Sequence, residues 1–141
     1  SWNVRILGTD LNEEVLAKAR AGRYGQVEMN RGLAAPLLLK YFTRDGLSWI
    51  ISGDLRRMVE FQQMNLAIPW PALPRMDVIF LRNVLIYFNA ETKKKILANV
   101  RGLLRPGGRL FLGGAETTIN LDDAYERVQH DKATIYRLRE G

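Results

Sequence analysis

The stretch "MDVIFLRNVLIYFN", Met76 to Asn89, runs apolar through Val78, Ile79, Phe80 and Leu81, breaks at Arg82-Asn83, and turns apolar again from Val84 to Phe88. The first run predicts a buried strand and the second a helix entry, with the polar pair at the turn between them. If a helix starts near Arg82, Asn83 and Tyr87, four residues apart, share one of its faces. Upstream, "VRILG" (Val4 to Gly8) reads as a strand, and Thr9-Asp10 leads into a helix over "LNEEVLAKARAG". Asn12 is its candidate N-cap, Glu13-Glu14 suit its positive start, and Gly22 stops it. Residues of about 24–57 are less regular and read as a small inserted β-subdomain. There "LAAPLLLKYF" predicts a short helix after Pro36, and "LSWIISGDLRRMVEF" two strand-like pieces separated by a Ser52-Gly53-Asp54 turn.

"VEFQQMNL", Val59 to Leu66, predicts a further strand, followed by the proline-punctuated loop "AIPWPALPRM". Asn89 is the candidate N-cap of a long amphipathic helix with Ile96, Leu97, Val100, Leu103 and Leu104 on one face and Pro106-Gly107-Gly108 as its stop. "RLFLGGAE" reads as a strand, and "YERVQH" with "TIYRLRE" as a closing antiparallel hairpin. Strands alternating with helices predict an α/β fold with a mostly parallel sheet. Ligands gather at the carboxyl ends of strands in such sheets. Thr9-Asp10, Asn65-Leu66, Arg82-Asn83 and Gly113-Gly114-Ala115-Glu116 occupy those ends.

Composition narrows the chemistry. The chain has 141 residues, 47% hydrophobic and 26% charged, with no cysteine and one histidine, His130. That is enough apolar material for one core, and it argues against a disulfide framework, a thiolate nucleophile, a metal centre or a Ser-His-Asp triad. The apolar runs are far shorter than a membrane span, and "SWNVRILGTD" lacks a signal-peptide layout, so a soluble, cytoplasmic protein without membrane insertion is expected. The net charge of +6 is spread out. Arg56-Arg57 and Lys93-Lys94-Lys95 are not interleaved with aromatics, so they read as solvated faces rather than a nucleic-acid surface.

Asp10 stands where nucleoside-binding α/β folds place an acid for ribose hydroxyls, although a helix-entry role explains it as well. Asn65 and Asn83 each donate and accept, which suits an adenine edge, an amino-acid head group or a backbone turn. Tyr87 suits either a site or a core aromatic with a satisfied hydroxyl. Gly107-Gly108 fits a helix stop and Gly113-Gly114 a close backbone approach. No phosphate-binding glycine pattern follows the first strand.

In order and spacing, "LGTDLNEEVLAKARAGRYG", "VEFQQMNL", "DVIFLRNVLIYFNAETKKKIL" and "LLRPGGRLFLGGAE" resemble the catalytic domain of CheR-type chemotaxis receptor methyltransferases. One departure within the specific run is Leu81, where many members carry Cys. The resemblance implies a Rossmann-like, S-adenosylmethionine-dependent methyltransferase fold and methylation of glutamate side chains on methyl-accepting chemotaxis receptors, with S-adenosylhomocysteine as product. It implies ribose binding by Asp10, adenine-side contacts from Asn65 and Leu66, and a cofactor-lining pair in Arg82 and Asn83. Tyr87 matches the tyrosine beside the transferred methyl, so Tyr87 and Arg82 are the catalytic candidates, and Glu116 is expected to support the site.

In the family, a helical N-terminal domain, the first sheet strand and a Gly-Glu-Glu-Pro-Tyr-like cofactor loop precede the region seen here. The chain therefore reads as an N-terminally truncated catalytic domain whose sheet is completed by another segment or chain. The tight "YFTRDGLSWIIS" turn implies recognition independent of a receptor pentapeptide. Two other readings fit the residues: a methyltransferase acting on nucleic acid or a small molecule, and a non-catalytic interaction module.

Overall fold

The computed structural model describes residues 1–141 as two compact units, Ser1–Asn65 and Leu66–Gly141. In the first unit, β1 (Ile6–Asp10) pairs in parallel with β5 (Val59–Gln63), from Ile6 opposite Val59 to Asp10 opposite Gln63. At Gly8, opposite Phe61, a Cβ would lie 2.8 Å from the Phe61 ring and would force that ring to move. Helix α1 (Glu13–Ala21) starts where the Asn12 side chain accepts the Glu14 and Val15 N–H groups. It ends at Gly22, whose φ of 63° lets its N–H reach back to Lys18 and Ala19. Both caps are where the sequence places them, and Leu16 is the buried residue of the helix.

Between α1 and β5 lies a three-stranded antiparallel sheet in the order β2 (Arg23–Gly25), β4 (Ser48–Ile51), β3 (Phe42–Asp45). It carries the short helices α2 (Gln26–Met29), α3 (Ala35–Tyr41) and α4 (Gly53–Arg57). Here the structure corrects one detail. Ser52-Gly53-Asp54 is not a turn between strands; Ser52 caps α4 by accepting the Leu55 N–H. Gly46 and Leu47 alone connect Asp45 to Ser48, and Gly46 supplies the positive φ of 59° that so short a turn demands.

The second unit is a four-stranded sheet in the order β6 (Met76–Leu81), β7 (Leu104–Leu112), β9 (Ala133–Leu138), β8 (Tyr125–His130). Strands β6 and β7 are parallel; β7–β9 and β8–β9 are antiparallel, so the expected C-terminal hairpin is present. Helix α5 (Ala90–Leu103), capped by Asn89 through the Thr92 N–H, provides the parallel crossover. Its Ile96, Leu97 and Val100 pack with Leu81, Leu85, Leu104, Leu110, Leu112, Tyr125 and Tyr136 into one core. Burial, with the nearby Asp122 charge second, raises the Tyr125 phenol above its ordinary range, and its hydroxyl donates to the Leu97 carbonyl at 2.6 Å.

Strand β1 has no strand partner on the side away from β5, and β6 has none on the side away from β7. Phe80 on β6 is 70% exposed although its ring stacks on Phe111 at 4.9 Å. No helix is long and apolar enough to cross a membrane.

Leu97 is fully buried and its backbone carbonyl is engaged by Tyr125, so Leu97→Ala removes packing at the centre of the second unit. Urea unfolding should show a loss of about 2–5 kcal/mol, whereas exposed Lys94→Ala should stay within about 0.5 kcal/mol.

Candidate functional site

Asp10 is the last residue of β1 and is exposed. Its carbonyl accepts the Met64 N–H at 3.0 Å, and its Oδ1 accepts the Asn12 N–H at 2.8 Å. The carboxylate thereby shapes the step from strand into α1. Gln63 Nε2 donates to the Leu11 carbonyl at 2.9 Å, tying the end of β5 to the same step. Asn65, half-buried, closes this unit two residues beyond β5.

The other candidates belong to the second unit. Leu66 packs against its core, and the Leu66 carbonyl accepts the Trp70 indole N–H at 3.1 Å. Sequence reasoning passed over Trp70 because it sits in a proline-rich loop without periodicity.

Arg82 and Asn83 follow the carboxyl end of β6 and are exposed. Asn83 has a φ of 59°, the left-handed region that Asn tolerates better than most non-glycine residues. The helix entry expected from Val84 to Phe88 is corrected here. That run is a single 3-10 turn, Leu85–Tyr87, closed by Tyr87 N–H to the Val84 carbonyl at 3.2 Å and Phe88 N–H to the Leu85 carbonyl at 3.0 Å. Leu85 is buried while Ile86 and Tyr87 are exposed, so the second apolar run divides between core and surface. Asn83 and Tyr87 do not share a helical face, and α5 begins only at Ala90.

Glu116 is 8% exposed and holds this turn. Its Oε1 accepts the Asn83 N–H at 2.6 Å and the Gly113 N–H at 2.7 Å; its Oε2 accepts the Val84 N–H at 3.1 Å and the Ile86 N–H at 3.3 Å. A carboxylate only accepts, and each oxygen takes two donors here. Gly113 is the counterpart of this arrangement. A Cβ on it would collide with Asn83 Oδ1 and lie 2.7 Å from Glu116 Oε1 and 2.9 Å from Asn83 N. The sequence signalled this as paired glycines at a strand end, without saying what approaches them.

The family model for the CheR methyltransferase, SAM-binding domain, matches residues 1–134. The chain belongs to this family. It is 43% identical over 137 residues to chemotaxis protein methyltransferase 1 of Pseudomonas aeruginosa, covering 96% of this chain and 50% of that protein. It is 38% identical over 136 residues to chemotaxis protein methyltransferase Cher2 of Pseudomonas putida, again covering 96% and 50%. The chain thus spans about half the length of the curated relatives it matches.

Among solved structures, the glycopeptide N-methyltransferase MtfA complexed with sinefungin matches with a TM-score of 0.51 at 14% identity, over 96% of this chain and 50% of that one. At that identity the likeness concerns the fold alone, and it agrees with the Rossmann-like methyltransferase architecture expected from the sequence. The CheR domain is named for S-adenosylmethionine, the cofactor class the resemblance implied.

Because Asn83 carries a left-handed backbone, substitutions there should rank by conformational freedom. Asn83→Val should lower the unfolding free energy by about 1–2 kcal/mol, and Asn83→Gly should leave it nearly unchanged, as read by urea denaturation. Equal losses for both would show that the positive φ is not what Asn83 is selected for.

Proposed function

We propose that this CheR domain binds S-adenosylmethionine and that the complete protein, in the cytoplasm, methylates glutamate side chains of chemotaxis receptors. The products are glutamate methyl esters and S-adenosylhomocysteine. The observation that supports this reading best is the Arg82–Tyr87 turn. It follows the carboxyl end of a parallel strand, exposes Arg82, Asn83 and Tyr87, and has its backbone fixed by a buried acid.

The donor set fits the cofactor. In the first unit, Asp10 offers an exposed carboxylate for ribose hydroxyls and Asn65 an amide for the adenine edge. In the second, Leu66 offers apolar surface suited to the adenine side, and Arg82 and Asn83 are the proposed cofactor contacts. When bound, S-adenosylmethionine supplies an electrophilic methyl carbon on a cationic sulfonium.

An ionised glutamate is already nucleophilic, so this mechanism needs no general base. The residues of the chain align the reacting groups and exclude water from two opposite charges; alignment alone contributes on the order of 7 kcal/mol in favourable cases. Tyr87 orients these groups without taking a proton, and Arg82 is the second candidate for that role. This accounts for a catalytic domain with no cysteine and one histidine.

Receptor recognition is proposed to be independent of a C-terminal pentapeptide, which the two-residue β3–β4 turn supports. The unpaired sides of β1 and β6 are proposed to pair with strand from outside these 141 residues.

Receptor-containing membranes incubated with the full-length protein and methyl-labelled S-adenosylmethionine should acquire base-labile label. Tyr87→Phe should lower kcat about tenfold with the cofactor KM nearly unchanged, and Asp10→Ala should raise that KM about tenfold. Label on RNA and none on receptor would overturn the substrate assignment.

Calorimetry should show cofactor binding to the full-length protein, much weaker binding to the 141-residue chain, and no tight binding of a receptor-tail peptide. Equal cofactor affinities would refute completion of the sheet from outside, and tight peptide binding would refute pentapeptide independence.

A further inference from the structure

We propose that Glu116 is a positioning residue for methyl transfer: its buried carboxylate sets the backbone from Asn83 to Ile86 and so places the Asn83 and Tyr87 side chains. This inference rests on the methyltransferase reading above.

Three of the four amides that Glu116 holds belong to the turn after β6, where no strand partner is available to them. The turn's own backbone hydrogen bonds are the two that close its single 3-10 turn, Tyr87 N–H to Val84 and Phe88 N–H to Leu85. Its conformation therefore depends on an acceptor contributed from about 30 residues away in sequence.

The acceptor is itself held. The Glu116 N–H donates to the Gly113 carbonyl at 3.0 Å, and the Tyr136 hydroxyl donates to the Glu116 carbonyl at 3.4 Å. None of the ion pairs in the structure includes Glu116. The four donors to its carboxylate are all backbone N–H groups, which fix its direction.

Substitution consequences follow from the geometry. Gln is isosteric but replaces one oxygen with an NH2 group, so donors would face donors on that side. Asp keeps both oxygens but is one methylene shorter and cannot reach both Asn83 and Ile86 from the same backbone. Gly113→Ala keeps the carboxylate itself and instead crowds Asn83 and Oε1, forcing one of them to shift. The three changes disturb one feature by different chemistry. Leu85 of the turn belongs to the core cluster of the unit, while the four amide donors go to the carboxylate.

The test uses the full-length protein and receptor membranes, with kcat and the S-adenosylmethionine KM measured separately. Glu116→Gln should raise that KM and lower kcat, each by about tenfold or more, as expected when a reacting constellation shifts by about an ångström. Glu116→Asp and Gly113→Ala should move both constants in the same directions. Amide exchange at Asn83, Val84 and Ile86 should accelerate in Glu116→Gln while exchange at Ile96 and Leu97 is retained.

A lowered kcat with unchanged KM, tracking only the folded fraction, would overturn the proposal, as would constants within twofold of the wild type. If Glu116→Gln does not fold, Gly113→Ala decides by the same criteria. If the wild-type protein methylates nothing, the methyltransferase reading fails by itself. Exchange at the three amides then still reports on the positioning role, and unchanged exchange would refute it.

Discussion

At the carboxyl end of β6 the chain leaves the sheet in a conformation that regular structure cannot satisfy. Asn83 takes a positive φ, and the amides of Asn83, Val84 and Ile86 lie beyond any strand ladder. These amides are only partly buried, so an acceptor fixed inside the fold decides which conformation of the turn they hold. The Glu116 carboxylate does so, and it takes the Gly113 amide as well, joining the ends of two adjacent parallel strands through a single side chain. The exposure of Arg82, Asn83 and Tyr87 follows from that clamp, as does the need for glycine at 113.

The clamped turn is seated on the packed core of the second unit. Leu85 anchors the turn from below in the same cluster that buries Ile96, Leu97 and Val100 of α5, so the surface residues on either side of Leu85 are carried by a buried neighbour. In the first unit, Asp10 and Asn12 act in the same way on a smaller scale, the acid shaping the strand end and the amide capping the helix. In each unit, side-chain acceptors fix backbone at strand ends, which is where an α/β fold exposes its chemistry.

Much of this was legible in the sequence because the signals were local. The caps Asn12, Gly22 and Asn89, the apolar stripe of α5, the strand at Met76–Leu81 and the closing hairpin each follow from spacing and residue type within a few positions. Three features were not legible. Pro106-Gly107-Gly108 reads as a helix stop with Leu104 still on the helix face, yet α5 ends at Leu103 and Leu104 to Gly108 open β7. Ser52-Gly53-Asp54 carries turn chemistry that serves equally well as a helix start, and only the course of the chain selects α4. The run from Val84 to Phe88 is as apolar as a helix entry, yet Asn83 diverts the backbone under the influence of Glu116, a contact no local pattern encodes. The strand-end positions of Asp10, Asn65 and Arg82-Asn83 were readable. Their roles toward a cofactor rest on family membership and chemistry, and Glu116 was identifiable as a supporting residue without its four partners.

A crystal structure of the full-length protein with S-adenosylhomocysteine tests the role of the clamped turn most directly. Product density should lie against Arg82 and Asn83, with Asn83 still at positive φ and the Glu116 carboxylate still accepting from Asn83, Val84, Ile86 and Gly113. Product bound away from the Arg82–Tyr87 turn, or a Glu116 side chain released from those amides in the complex, would contradict that role.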